Sequence, residues 1–296
     1  MARPTPYRRG DGHLTKKIQI VLINLARRPD RLDGMSAMLA EIGVHFERLD
    51  AVDGAACPKK DLDQFPRKGP IGKLSTGTRA CTASHLKAMR TLLAGQSSFA
   101  LILEDDVEIL PTLTEMIADD IWLRGKADII KLEKFNPRRP SMLLLGPVLG
   151  TSPDGMATFR SMYSRHTGAG GYIISRHGAE IVLSFEQEID VPIDHFLFNE
   201  TVSPLFKKLR PAILVQPILW QSEAIGLGSS ISISEPNETY WVAKKLLAVR
   251  RGFLEMRLIF WQVFLWATRR VEVVRIQTPL SEGTAPPKVL RWLLKS

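Results

Sequence analysis

Glu104-Asp105-Asp106 is the densest chemical signal in the chain. Three consecutive carboxylates repel one another and resist burial unless a cation or polar group faces them. They follow an apolar run, Phe99 to Leu103, which reads as a buried strand. Open α/β sheets bind ligands outside such strand ends. Hard oxygens there suit Mg²⁺ or Mn²⁺ bridging to a diphosphate. The bland alternative is a solvated acidic turn. Asp119-Asp120 serves as a comparison, because it follows a helical pattern and reads as a solvated pair.

Other residues add to this picture. Arg27, Arg28 and Arg31 follow a second apolar run, Ile18 to Leu25, and arginine suits bidentate contact with phosphate. An exposed basic turn is the competing reading. Asp53 could accept from a ribose hydroxyl or a base N–H, or simply make the Asp53-Gly54 turn. Ser84 and His85 are adjacent on a predicted helix, so they do not face each other, and a serine-hydrolase pair is rejected. A structural or ligand-contacting role fits His85 better. Asp194 stands beside His195 in an apolar segment, where it reads equally as an acid/base group or as a helix cap after Pro192. Thr167 to Tyr172 is glycine-rich, but Ile173 occupies the last position of a Gly-x-Gly-x-x-Gly motif and the run precedes its strand. Gly72-Lys73 fails as a phosphate loop for want of the first glycine and the final Ser or Thr.

These residues need a scaffold, and the periodicity supplies one. Leu32, Met35, Leu39 and Ile42 recur at helical spacing between the first strand and a second at Phe46 to Val52, with Asp30 as the expected cap and Gly43 as the stop. A strand–helix–strand unit of this kind predicts a parallel α/β sheet. Residues 55–75 read as a loop, and a helix is expected over about 80–94. Further strands are expected at 99–103, 128–132 and 171–175, with a helix over 177–185. Residues 136–160, rich in Pro and Gly, show little period.

Composition bounds the class. The 296 residues are 45% hydrophobic and 24% charged, which is ordinary for a globular protein. Two cysteines, Cys57 and Cys81, exclude a disulfide framework or a Cys-rich zinc module and fit a reducing compartment. Of the net charge of +9, residues 241–296 contribute +8, with 11 Lys+Arg against 3 Asp+Glu. Val242, Leu246, Val249, Phe253, Met256, Phe260, Val263 and Ala267 form a helical stripe there, with basic residues on other faces and Trp261 and Trp266 in the apolar part. This reads as an interfacial helix on an anionic membrane, the competing reading being a helix packed on the main domain. The first residues lack an apolar signal core and no run is long enough to span a bilayer. The expected organisation is a disordered basic arm over 1–15, a main domain over 16–235 and a basic amphipathic helical tail over 236–296. The expected location is cytoplasmic, peripheral on the inner face of the cytoplasmic membrane. A near-neutral main domain argues against nucleic acid as a partner.

Taken in order, the segments Ile23 to Arg31, Ala51-Val-Asp-Gly54, Cys81-Thr-Ala-Ser84-His85, Leu103 to Val107, Gly171 to Ser175 with Gly178-Ala179, and Pro192-Ile-Asp194 resemble glycosyltransferase family 25. Ala80 departs from the glycine usual before the family's cysteine. The resemblance implies a GT-A-like Rossmann-type α/β/α sandwich and a UDP-sugar donor, UDP-galactose foremost. It also implies inverting transfer of a hexose to a saccharide acceptor in lipopolysaccharide, lipooligosaccharide or surface-polysaccharide synthesis, the acceptor lipid-linked in some cases. On that reading Mn²⁺ or Mg²⁺ neutralises the leaving diphosphate, held by Asp106 with Asp105 or Glu104. Asn24, Arg27, Arg31 and Asp53 line the nucleotide, joined by Ser84, His85 and Glu104, and Asp194 is the base. The alternative is a non-catalytic membrane-associated scaffold, against which the intact acidic triplet argues.

Overall fold

The computed structural model describes residues 18–138, 140–221, 252, 256 and 258–279. The first apolar run forms β1 (Gln19–Asn24), and α1 (Pro29–Glu41) follows with Pro29 at its first turn. Asp30 is not the cap that the sequence suggested. Arg28 holds the cap position, and Asp30 lies inside the first turn with its carboxylate 2.7 Å from the Arg28 guanidinium. β2 (Glu47–Asp50) then pairs parallel to β1. The expected loop contains a 3-10 turn at Lys59–Leu62 and a small hairpin, β3 (Lys68–Gly69) with β4 (Gly72–Lys73). α2 (Thr76–Ala94) begins about one turn earlier than expected because Ser75 caps it, its hydroxyl accepting from the Thr78 N–H.

β5 (Phe99–Glu104) pairs parallel to β1 on the side away from β2. β6 (Val107–Ile109) and α3 (Leu113–Met116) follow. Asp120, read as solvated, is buried after α3 and accepts from the Arg124 guanidinium at 2.6 Å. β7 (Ile129–Lys131) and β8 (Glu133–Lys134) come next. The Pro- and Gly-rich stretch forms two strands, β9 (Ser141–Thr151) and β10 (Thr158–Met162). Their antiparallel register shifts on either side of Arg160, opposite the segment carrying Gly146 and Pro147. A bulge is where a sheet tolerates proline, and the same irregularity hides the two-residue period.

β11 (Gly171–Ser175) is antiparallel to both β5 and β7. α4 (Arg176–Ser184), α5 (Ile193–Phe198) and α6 (Phe206–Leu209) precede β12 (Pro211–Leu214) and β13 (Leu219–Gln221). The helical-tail reading needs correction at residues 272–276, which form β14 (Glu272–Ile276), antiparallel to β9. Ile276 is fully buried in the core. The expected stripe positions 242, 246, 249 and 253 and the arm 1–15 lie outside the described residues, but those at 256, 260 and 263 are exposed.

The main sheet has nine strands in the order β14-β9-β10-β12-β7-β11-β5-β1-β2, and β6-β13-β8 form a smaller sheet. Met35 and Leu39 of α1 pack on one face of the main sheet with Leu113, Met116 and Trp122. Leu86 and Met89 of α2 pack on the other with Ala179, Val182 and Phe196. The Rossmann-type α/β/α sandwich of GT-A kind is therefore present. The chain leaves β1 for β2 on one side and returns to β5 on the other, so the β1–β5 seam is the switch point at which such sheets bind ligands.

Candidate functional site

A cleft of about 470 Å³ opens at the carboxyl ends of β1, β2 and β5. Each element delivers the residues that follow it. β1 supplies Arg27 and Arg31, β2 supplies Val52 to Ala55, and β5 supplies Glu104, Asp105 and Asp106. α2 forms the opposite wall with Cys81, Ser84 and His85. Residues distant in sequence thus converge because three parallel strands end at one edge.

At the mouth, Arg27 Nε donates to Asp53 Oδ2 at 2.7 Å. Asp53 also accepts from the Ala55 N–H at 2.9 Å. That backbone bond, with the Arg27 guanidinium beside it, outweighs partial burial and holds the carboxyl below its usual range. Asp53 is thus both the turn residue and an ionised acceptor in the cleft.

The acidic triplet divides into two environments. Arg31 Nη1 donates to Asp105 Oδ1 at 3.0 Å and to Asp106 Oδ2 at 3.1 Å. Asn24 donates across the β1–β5 seam to the other Asp105 oxygen at 2.7 Å. Each Asp105 oxygen therefore already carries a strong hydrogen bond. Asp105 and Asp106, the metal ligands of the sequence reading, share the Arg31 guanidinium, and Asp105 also anchors it against Asn24. Asn24 moves from the expected list. It is buried, lies outside the cleft lining, and accepts from Arg48 Nε at 3.1 Å.

Glu104 turns the other way, toward α2. His85 Nε2 lies 3.0 Å from Glu104 Oε1, and the Cys81 thiol donates to the same oxygen at 3.6 Å. The other imidazole nitrogen lies 2.9 Å from the Tyr172 hydroxyl. Burial opposes charge on Glu104, but His85, Cys81 and the more distant Lys131 together hold it below the usual carboxylate range. Burial and the negative charges of Glu104 and Asp194 push the Cys81 thiol well up. Ser84, as expected, does not face His85. Its hydroxyl donates to the Ala80 carbonyl and accepts from the Val52 N–H, both at 2.8 Å, which fixes the β2 exit against α2.

Asp194 is half-buried in the first turn of α5, whose cap position belongs to Pro192, so the capping reading is corrected. Its Oδ2 accepts from the Gly168 N–H at 3.0 Å. Asp194 lies outside the cleft lining, although its charge reaches Cys81, which is part of it. His195 turns to Asn199 at 2.8 Å.

The glycine-rich run before β11 is a clamped loop, fastened by residues that sequence reasoning did not single out. Lys131 and Glu133 are both fully buried and lie 3.0 Å apart. Lys131 donates to the Gly168 carbonyl, and Glu133 accepts from the Gly170 N–H at 2.9 Å. Gly168 has φ near +90°, and a Cβ there would collide with the Glu133 carboxylate, so glycine is required. The available signal was two charges inside Ile129-Ile-Lys-Leu-Glu133, where a strand in a sheet core should be apolar.

A model of glycosyltransferase family 25 (LPS biosynthesis protein) matches residues 17–197, which include every cleft residue above. Over 215 residues the chain is 25% identical to the lacto-N-neotetraose biosynthesis glycosyltransferase LgtB of Neisseria gonorrhoeae, covering 68% of this chain and 73% of that protein. It is 27% identical over 157 residues to the lipooligosaccharide biosynthesis protein lex-1 of Haemophilus influenzae, covering 49% and 51%. A glycosyltransferase 25 family member of Drosophila melanogaster is 27% identical over 207 residues, which are 62% of this chain and 32% of that longer protein.

Proposed function

The chain belongs to glycosyltransferase family 25, and from that premise we propose that it moves galactose from UDP-galactose to a saccharide hydroxyl with inversion at the anomeric carbon. The observation that carries this reading is the switch-point cleft, where Asp53 and two arginines meet at the ends of three parallel strands. Asp53 suits a ribose hydroxyl or base N–H, while Arg27 and Arg31 suit phosphate oxygens. In the transfer step the acceptor oxygen forms a bond to the anomeric carbon as the bond to the diphosphate breaks. The hydroxyl proton passes to Asp194, and UDP leaves. The family's description as an LPS biosynthesis protein and the lipooligosaccharide biosynthesis name of lex-1 support the setting we propose here, lipopolysaccharide or lipooligosaccharide synthesis.

A divalent cation, Mn²⁺ or Mg²⁺ in the sequence reading, would supply charge neutralisation to the leaving diphosphate. The cleft wall carries four carboxylates and two guanidiniums, a balance that favours an added cation. Asp106 with Asp105 would hold it; Arg31 and Asn24 donate to both Asp105 oxygens and to Asp106 Oδ2, so such an ion would share those oxygens with Arg31 or displace it.

Donor kinetics test the assignment. Arg31→Ala and Asp53→Ala are each expected to raise the KM for the UDP-sugar by roughly tenfold, about 1.4 kcal/mol, with little change for the acceptor. A rise confined to the acceptor KM would move both residues to the other side of the reaction.

The same enzyme, in this proposal, works on an anionic membrane surface. Phe260 and Trp266 are 85% and 58% exposed on the helix over 258–267, beside Met256 and Val263. Among the described residues no helix is long and apolar enough to cross a membrane. The basic charge of 241–296 adds on the order of 1 kcal/mol per residue close to an anionic surface. Removing 241–296 outright would delete β14 from the sheet, so point variants are the cleaner test. Phe260→Ser with Trp266→Ser is expected to abolish co-flotation with anionic liposomes at low salt while leaving the thermal midpoint unchanged. Undiminished flotation would reject this face as the contact.

A further inference from the structure

We propose that Cys81, His85 and Glu104 form a binding site for a borderline divalent cation of the zinc class, on the α2 side of the cleft.

The geometry begins with spacing. Cys81 and His85 are four residues apart on α2 and share one of its faces. β5 ends by placing Glu104 against that face. One ligand atom from each of the three lies within 4.8 Å of the other two. The Glu104 oxygen is 3.0 Å from His85 Nε2 and 3.6 Å from Cys81 Sγ. A tetrahedral ion with bonds of about 2.0–2.3 Å needs ligand atoms roughly 3.3–3.7 Å apart, so small side-chain shifts accommodate it.

The imidazole is already oriented for the task. Metal-ligating histidines hold their second nitrogen in an outer hydrogen bond. Here Nδ1 meets the buried Tyr172 hydroxyl at 2.9 Å, and the two rings stack at 5.7 Å. In the metal-bound form Nδ1–H would donate to Tyr172 and leave Nε2 as the ligand atom beside Glu104; without the ion Nε2–H donates to Glu104 and Nδ1 accepts from the Tyr172 hydroxyl. All three residues line the cleft, so the fourth position is open to water or a phosphate oxygen. Three protein ligands with one open position is the pattern of a catalytic zinc site. Sulfur and imidazole donors favour Zn²⁺ or Co²⁺ over Mg²⁺.

Binding has a simple balance. The Cys81 S–H proton passes to solvent as the sulfur–metal bond forms, the His85 proton moves from Nε2 to Nδ1 so that the ring stays neutral, and Glu104 exchanges its two hydrogen-bond donors for the ion. The competing arrangement is purely protonic, with Cys81 and His85 both donating to Glu104 and no ion involved.

Co²⁺ titration of the chelator-treated full chain separates the two. The expected result is one ion per chain, with the near-ultraviolet thiolate-to-cobalt charge-transfer band and the visible bands of a four-coordinate site. Cys81→Ser should abolish the charge-transfer band, and Glu104→Gln should weaken binding by roughly tenfold or more. Asp105→Asn should leave the band in place. A wild-type chain that binds no stoichiometric Co²⁺, or a band that persists in Cys81→Ser or disappears in Asp105→Asn, overturns the proposal. Zn²⁺ calorimetry on the same proteins gives a second readout if a variant folds poorly. No sugar donor enters these measurements, so their failure leaves the transfer reading standing.

Discussion

Asp194→Asn is expected to lower kcat by about 10²–10⁴-fold while leaving the KM for the UDP-sugar close to its starting value. The substitution separates two roles of one carboxylate. Asp194 accepts from the Gly168 N–H at 3.0 Å, and an asparagine carbonyl oxygen of the same shape keeps that bond. The clamped loop and the start of α5 should therefore stay in place. An amide cannot take a proton from the acceptor hydroxyl, so a loss confined to kcat marks Asp194 as the base. If kcat is unchanged, Asp194 serves only to fasten the loop. A fall in thermal stability accompanied by a rise in donor KM would also count against the base assignment, since it would show that the loop had shifted.

The sequence exposed those parts of this fold where one face or one run of residues is uniformly apolar. β1, β5 and β11 are short buried runs, and α1 and α2 have regular stripes, so each was visible from pattern. The cleft followed from them, because residues after the carboxyl ends of parallel strands have few other places to go. What each side chain does there was much less legible. Arg31 reads as a phosphate contact, but nothing in the sequence shows that Asp105 and Asp106 hold its guanidinium in the cleft. Glu104 is adjacent to those two in the chain, yet points to a different set of partners, because β5 ends at Glu104 and the chain turns at Asp105 and Asp106. The solvated reading of Asp120 failed for a similar reason, since its partner Arg124 lies one helical turn away and neutralises it under cover. β9 and β14 were hidden for different reasons. Gly146, Pro147 and a shifted register broke the alternation in β9, and β14 sits beside a stretch whose basic charge dominated the reading. Residues 272–276 pack on the main sheet as a strand, while the aromatics of the helix before them stay exposed.

Lys131→Met is expected to destabilise the domain by about 3–5 kcal/mol near neutral pH, because it strips one partner from a fully buried ion pair. Lys131 Nζ lies 3.0 Å from Glu133 Oε2 and 4.8 Å from the centre of the Phe198 ring, and neither charged side chain has any exposure. Methionine matches the stem in volume but leaves the Glu133 carboxylate with only the Gly170 N–H as a described hydrogen-bond partner. Burial already raises Glu133 above its ordinary value, with Lys131 pulling the other way. Without the ammonium the shift must grow. A carboxyl whose folded-state value is raised stabilises the fold when protonated, and that contribution is lost as pH rises through the folded-state value. The deficit of the variant relative to wild type should therefore be smallest in mild acid and widen toward neutral pH. Adding Glu133→Gln should recover part of the loss, since the pair is then absent as a unit. Urea denaturation of the wild type and the single and double variants at several pH values measures all three quantities. A deficit below about 1 kcal/mol, or one that does not change with pH, would mean that the Lys131–Glu133 pair is solvated in solution. The loop carrying Gly168, and with it the position of Asp194, would then need another anchor.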